Sequence, residues 1–127
     1  MASAVLDSSA VLAVLNAEPG AEVVVALVKD ALVSTVNFSE VIAKLVESGS
    51  SDAEALAALQ SIALTTADFD VPLARRTGAL RAETMKRGLS LGDRACLALA
   101  EREGIPALTG DRNWVGAVSS VEIRLIR

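Results

Sequence analysis

Residues 88–100 read GLSLGDRACLALA, and the rest of the chain is organised around this stretch. A helix starting near Leu91 places Leu91, Ala95, Ala98 and Leu99 at i, i+4, i+7 and i+8, which is one helical face. Cys96, Leu97 and Ala100 are apolar as well, so little of this helix is left for water. The charges Arg94, Glu101, Arg102 and Glu103 fall outside the arc that holds Cys96, Leu97 and Ala100, at about 100° per residue. Asp93 falls inside it. A carboxylate in the first turn of a mostly buried helix is costly unless something pairs with it.

Downstream, Ile105–Leu108 reads as a strand, Thr109-Gly110-Asp111 turns the chain, and Val121–Ile126 reads as a final strand. Upstream, Gly88 stops a helix over Val71–Lys86 that Asp70 caps, with Pro72 tolerated in its first turn. Before it lie a short strand at Ala63–Ala67 and an Ala/Leu helix to about Ile62 opened by the Ser51/Glu54 capping pair. Asn37 is expected to open a helix with Glu40 as its capping-box partner. Phe38, Val41, Ile42, Leu45 and Val46 form its apolar face, and Gly49 ends it. The β-branched run Ala31–Val36 is a strand, Ala21–Lys29 a helix, residues 8–15 a helix, and Ala2–Leu6 a buried strand. Strands alternate with helices throughout, so the fold is α/β with a mostly parallel central β-sheet flanked by α-helices, in a single domain over residues 1–127.

Composition removes most chemistries. No His is present among the 127 residues, which excludes Ser-His-Asp and Cys-His triads and His-ligated zinc. The single Cys96 excludes an internal disulfide, fits a reducing compartment and reads as core filler. Aromatics amount to Phe38, Phe69 and Trp114, too few for a base-stacking platform, and Trp114 reads as a packing residue. With a net charge of −4, contact with nucleic acid requires a local basic patch. The longest uncharged run, Ala55–Ala67, is too short to span a bilayer, and the apolar start lacks a preceding Lys or Arg. The expectation is a cytoplasmic protein without a membrane partner.

What remains is carboxylate chemistry. Asp7 follows the first strand, Glu40 and Asp93 sit in first helical turns, and Asp111 lies just past the Ile105–Leu108 strand. Ligands of open parallel sheets bind beyond the carboxyl ends of the strands, where the chain order reverses. Each acid also has a local reading. Asp7 and Asp111 can cap, Glu40 can pair with Asn37 or Lys44, and Asp93 can complete a capping box with Ser90. Capping and metal binding are compatible, because helix N-termini favour anions. Two carboxylates about 4–5 Å apart repel by roughly 3–4 kcal/mol at an effective dielectric near 20. A set of them must take up protons or bind a hard cation. Oxygen-only donors point to Mg²⁺ (or Mn²⁺), and such an ion gives phosphodiester hydrolysis without His.

The segments VLDSSA (Val5–Ala10), NFSEV (Asn37–Val41), LSLGDRACLALA (Leu89–Ala100) and LTGDRNW (Leu108–Trp114) resemble the PIN-domain ribonucleases, particularly the VapC toxins of toxin–antitoxin pairs. The resemblance implies a single PIN-like domain and a metal site for endonucleolytic RNA cleavage built by Asp7, Glu40, Asp93 and Asp111. It implies Ser8 (or Ser9) and Thr109 as hydroxyl supports, with Asn113 standing where many relatives carry a further acid. It also implies a homodimer and a cognate VapB-type antitoxin, giving a heterotetramer or larger assembly. For RNA phosphates, Arg75, Arg76, Lys86 and Arg87 fall within roughly a 120° arc of one helix, and Arg94 and Arg112 directly follow two of the acids. Two other readings stay open: a non-catalytic PIN-like interaction domain, and an Asp-based phosphatase. The latter wants a second Asp two residues after Asp7, where this chain has Ser9.

Overall fold

The computed structural model describes residues 2–127. In chain order the elements are β1 (Ala4–Leu6), α1 (Ser8–Leu15), α2 (Ala21–Val25), β2 (Ala31–Ser34), α3 (Thr35–Glu47) and α4 (Asp52–Gln60). There follow β3 (Thr65–Ala67), α5 (Val71–Ala79), α6 (Arg81–Thr84), α7 (Leu91–Glu103), β4 (Ala107–Thr109) and β5 (Ile123–Leu125). The strands form one five-stranded sheet in the order β3-β2-β1-β4-β5, with every neighbouring pair parallel. The chain runs outward from β1 through β2 to β3, then returns to the other side of β1 for β4 and β5. The order therefore reverses between β1 and β4, and the crevice beyond their carboxyl ends is where such a sheet takes a ligand.

Alternation along the central strand builds two cores. Val5 packs on one side with Leu80, Leu97, Leu99, Ala107 and Trp114. Ala4 and Leu6 pack on the other with Ala10, Val11, Val24, Val41 and Leu108. All three residues of β1 are fully buried, as a strand covered by helices on both faces must be. From Arg94 to Ala100 α7 has no exposed position, which agrees with the nearly all-apolar reading of its sequence. Among the described residues, no helix is long and apolar enough to cross a membrane.

Several boundaries differ from the sequence reading. The third helix starts at Thr35 and is capped by Ser34, whose hydroxyl accepts from the Val36 amide at 3.2 Å. Asn37 thus lies inside the first turn and is not the cap. The β-branched Thr35 and Val36 favour a strand locally, but β2 stops at Ser34, where its register with Ala67 of β3 ends. The expected Ala21–Lys29 helix ends at Val25, and a 3-10 turn covers Val28–Asp30. The expected Val71–Lys86 helix is divided into α5, α6 and a 3-10 turn at Met85–Arg87. Gly78, a poor helix former, precedes the break, and the fully buried Leu80 holds the joint. Leu91, expected on the apolar face, is 54% exposed, while the charged Arg94 is buried.

Candidate active site

Asp7 ends β1 and caps α1. Its Oδ1 accepts from the Ala10 amide at 2.9 Å and from the Ser9 hydroxyl at 2.7 Å, and its Oδ2 accepts from the Thr109 hydroxyl at 2.6 Å. The local reading of Asp7 as the cap of the first helix therefore holds. Asp7 is nearly fully buried, and burial pushes its carboxyl up to about 6 from 3.8. The hydrogen bonds from Thr109, Ser9 and Ala10 oppose that rise, and the charge of Asp93 adds to it.

The carboxyl end of β4 is stitched to the same place. Thr109 is fully buried, and besides donating to Asp7 it accepts from the Asp111 amide at 3.0 Å. The Gly110 amide donates to the Ser9 hydroxyl at 2.9 Å. Asp111 caps a 3-10 turn at Arg112–Trp114, with its Oδ1 accepting from the Asn113 amide at 2.9 Å. Ser9 and Thr109 are thus both hydroxyl supports between strands β1 and β4. Ser8 serves a different acid, donating to Glu40 Oε1.

Glu40 stands one turn into α3. Its Oε1 also accepts from the Asn37 side-chain amide at 2.8 Å, and that amide donates to the Gly92 carbonyl of α7 at 3.0 Å. Lys44 is not its partner: the ion pair Lys44 makes is with Glu47, at 3.8 Å. Asp93 completes the expected capping box with Ser90. The Ser90 amide donates to Asp93 Oδ2 at 2.8 Å, and the Asp93 amide donates to the Ser90 hydroxyl at 3.2 Å. Partial burial raises the Asp93 carboxyl above its ordinary value, against the Ser90 bonds, and the charges of Glu40 and Asp111 raise it further.

Asp7, Glu40, Asp93 and Asp111 line one cleft of about 260 Å³ together with Ser8, Ser9, Leu12 and Lys44. Within it a pattern recurs. Glu40, Asp93 and Asp111 each have one oxygen tied to protein donors, while Glu40 Oε2, Asp93 Oδ1 and Asp111 Oδ2 have no protein partner among the described residues. The tied oxygen orients the group and leaves the other without a protein donor. No three of the acids crowd closely enough to form a ready-made metal cage among the described residues.

The expected cations lie elsewhere. None of Arg75, Arg76, Lys86, Arg87, Arg94 and Arg112 lines the acidic cleft. Arg94 is buried, and its guanidinium donates to the Thr77 carbonyl of α5 at 3.0 Å, a packing role in place of the expected phosphate contact. Arg76 forms a two-pronged bond to Glu101, at 2.6 and 2.9 Å. The single arc of four cations is lost because the helix that would carry it breaks at Leu80. Asn113 is turned to Arg87: its amide donates to the Arg87 carbonyl at 2.6 Å, and the Arg87 guanidinium donates back to the Asn113 carbonyl at 3.1 Å. Trp114 and Cys96 are fully buried packing residues.

Two residues of the site escaped the sequence reading. From the sequence Asn37 reads only as a cap, although its spacing to Glu40 is also the i,i+3 spacing of side chains that meet on a helix. Gly92 has no role in the sequence reading, yet a side-chain carbon there would overlap the Glu40 carboxylate. A glycine inside a helical pattern is the signal for such a close approach.

The PIN domain family model matches residues 4–117. Comparison with curated proteins finds no match. Among solved structures, the chain resembles DNA-bound VapBC from Salmonella typhimurium at 21% identity and a TM-score of 0.79, covering 100% of both chains. It resembles VapC20 of Mycobacterium tuberculosis, a sarcin-ricin loop cleaving toxin, at 20% identity and a TM-score of 0.71, over 91% of this chain and 97% of that one. VapBC-5 of the same organism, a member of the VapBC family of toxin-antitoxin systems, gives 23% identity and a TM-score of 0.67, over 100% of this chain and 99% of that one. With a family model spanning nearly its whole length and the same fold in these structures, the chain belongs to the PIN domain family.

Proposed function

We propose that this chain is a Mg²⁺- or Mn²⁺-dependent endoribonuclease, the toxin of a toxin–antitoxin pair whose partner is a VapB-type antitoxin. The observation that carries the reading is the meeting of Asp7, Glu40, Asp93 and Asp111 in one cleft at the switch point of the sheet. Membership of the PIN domain family supports it, as does the likeness to a toxin that cleaves the sarcin-ricin loop. The likeness to VapBC structures supports the antitoxin partner.

The donor set fits such a cation. It is made of oxygen alone, and three of the acids keep an oxygen without a protein partner. Mg²⁺ is usually held by one or two carboxylates, keeps several waters and takes substrate phosphate. When bound, the cation supplies positive charge for a phosphate oxygen and lowers the pKa of a water. The residues do the rest. Ser9, Thr109 and the Ala10 amide fix Asp7, the Ser90 box fixes Asp93, Asn37 and Ser8 fix Glu40, and the Asn113 amide fixes Asp111. Acids held in place beforehand need no rearrangement when charge develops on the scissile phosphate. In the reaction, water adds to phosphorus and gives up a proton to solvent, while the P–O bond to the leaving ribose oxygen breaks and that oxygen takes up a proton.

Asp93→Asn tests the reading. The variant is expected to lose Mn²⁺ binding by calorimetry and at least about a hundredfold in RNA cleavage, on the scale of removing one charge-stabilising group. Growth should stop when the unaltered chain is expressed without an antitoxin, and continue with Asp93→Asn. Unchanged Mn²⁺ binding and cleavage in the variant would overturn the proposal.

A further inference from the structure

Asn37 is fully enclosed at the junction of α3 and α7. Its side-chain amide nitrogen donates to Glu40 Oε1 and to the carbonyl of Gly92, 55 positions away, and lies 3.4 Å from the Ser8 hydroxyl. The other end of the same group behaves differently: Asn37 Oδ1 is buried with no partner. A buried acceptor left unpaired is destabilising, so what Asn37 contributes lies in what its nitrogen holds.

What it holds is the spacing between two site acids. Gly92 immediately precedes Asp93, and its backbone presses so closely on Glu40 that any side-chain carbon would overlap the carboxylate. Asn37 joins these two pieces, the Glu40 carboxylate on α3 and the first turn of α7 that carries Asp93. Resting on the nuclease reading above, we propose that Asn37 is a positioning residue: through its paired bonds to Glu40 and the Gly92 carbonyl it sets where Glu40 stands relative to Asp93. Gly92 completes the arrangement by leaving room for that carboxylate.

The test compares Asn37→Ala and Gly92→Ala with the unaltered full-length chain after removal of divalent cations. The readouts are Mn²⁺ affinity by calorimetry, thermal melting, and kcat and KM on an RNA oligonucleotide. Loss of an outer partner of a metal-binding carboxylate lowers affinity by about ten- to a hundredfold. Both variants should therefore bind Mn²⁺ that much more weakly and lose kcat, with KM for RNA within about twofold of the unaltered chain. An Asn37→Ala protein that melts earlier but binds Mn²⁺ with unchanged affinity would make Asn37 a packing group and overturn the inference. Should Asn37→Ala fail to fold, Gly92→Ala decides alone, and unchanged Mn²⁺ affinity in it is equally fatal. If the unaltered chain itself binds no Mn²⁺, the nuclease reading falls and takes this inference with it, an outcome distinct from equal binding by variant and parent.

Discussion

Asp7→Asn should make the cation-free protein more stable near neutral pH while disabling its site. The acid is 5% exposed, and folding raises its carboxyl from 3.8 to about 6. The folded chain therefore holds the proton more tightly than the unfolded one. With respect to this group, stability is full below about pH 3.8 and is lost as pH rises through about 6. At about 1.4 kcal/mol per tenfold change, the ionised carboxylate costs roughly 3 kcal/mol at pH 7. Asn is of the same size and caps a helix as well as Asp, so the Ala10 bond survives. The Thr109 hydroxyl loses its acceptor, which takes back about 1 kcal/mol. The net expectation is a gain of about 2 kcal/mol at pH 7 that shrinks to zero or reverses by about pH 4. Urea unfolding of both proteins in a chelating buffer, across that pH range, measures the difference directly. A gap that does not change with pH, or a parent more stable than the variant at pH 7, would refute the account of Asp7 as a buried charge held against its preference.

Other outcomes follow from the same structure. Arg94→Met should change unfolding free energy by less than about 1 kcal/mol, because the guanidinium is buried with its Nε unpartnered, whereas Arg94→Ala leaves a cavity and costs about 2 kcal/mol or more. Neither should alter RNA affinity measured by fluorescence anisotropy, which separates packing from phosphate contact. Arg76→Ala should cost less than about 1 kcal/mol, since the pair with Glu101 is half-open to solvent. Arg76 holds the Glu101 carboxyl below its ordinary 4.5, so that contribution is present above this value, lost as pH falls, and weakened by salt. Chelation should leave circular dichroism unchanged, because every site acid has protein donors, while Mn²⁺ at a hundredfold its Kd should stabilise the parent by about 2.7 kcal/mol and Asp93→Asn by much less.

The fold was legible where pattern and punctuation agreed. The extent of α7, the Ser90 and Ser51 capping boxes, and the Asp70 cap with Pro72 behind it all stand in the structure. Ambiguity arose where several residues could do one job. Ser34, Thr35 and Asn37 are each acceptable helix caps, and only the end of the β2–β3 register selects Ser34. The four acids were legible because a parallel sheet sends its strand ends to one edge. The cations were not, because angular position on a helix says nothing of where a long side chain ends. Arg94 lies on the charged side of the wheel by angle, yet its guanidinium crosses to the Thr77 carbonyl of a helix 17 positions upstream. Nor could spacing reveal that Asn113 is occupied with the Arg87 carbonyl, since that contact depends on the 3-10 turn that replaces the last turn of the expected long helix.

The donors around the cleft also explain why local capping and a shared site never competed. A cap uses one oxygen of a carboxylate, and the geometry of a helix start then fixes where the other oxygen lies. Asp93 gives Oδ2 to Ser90 and keeps Oδ1, and Asp111 gives Oδ1 to Asn113 and keeps Oδ2. Glu40 is too far into α3 to cap, so it needs a side-chain donor for the same purpose. Asn37, three residues earlier on the same helix, supplies it and reaches α7 as well. Asp7 is the exception, with both oxygens engaged and the deepest burial, and it is the acid whose proton affinity is raised to about 6. The orientation of each acid is thus set by the fold before any ligand arrives. At Asp7 the fold carries a cost in stability that a cation bound among these acids would offset.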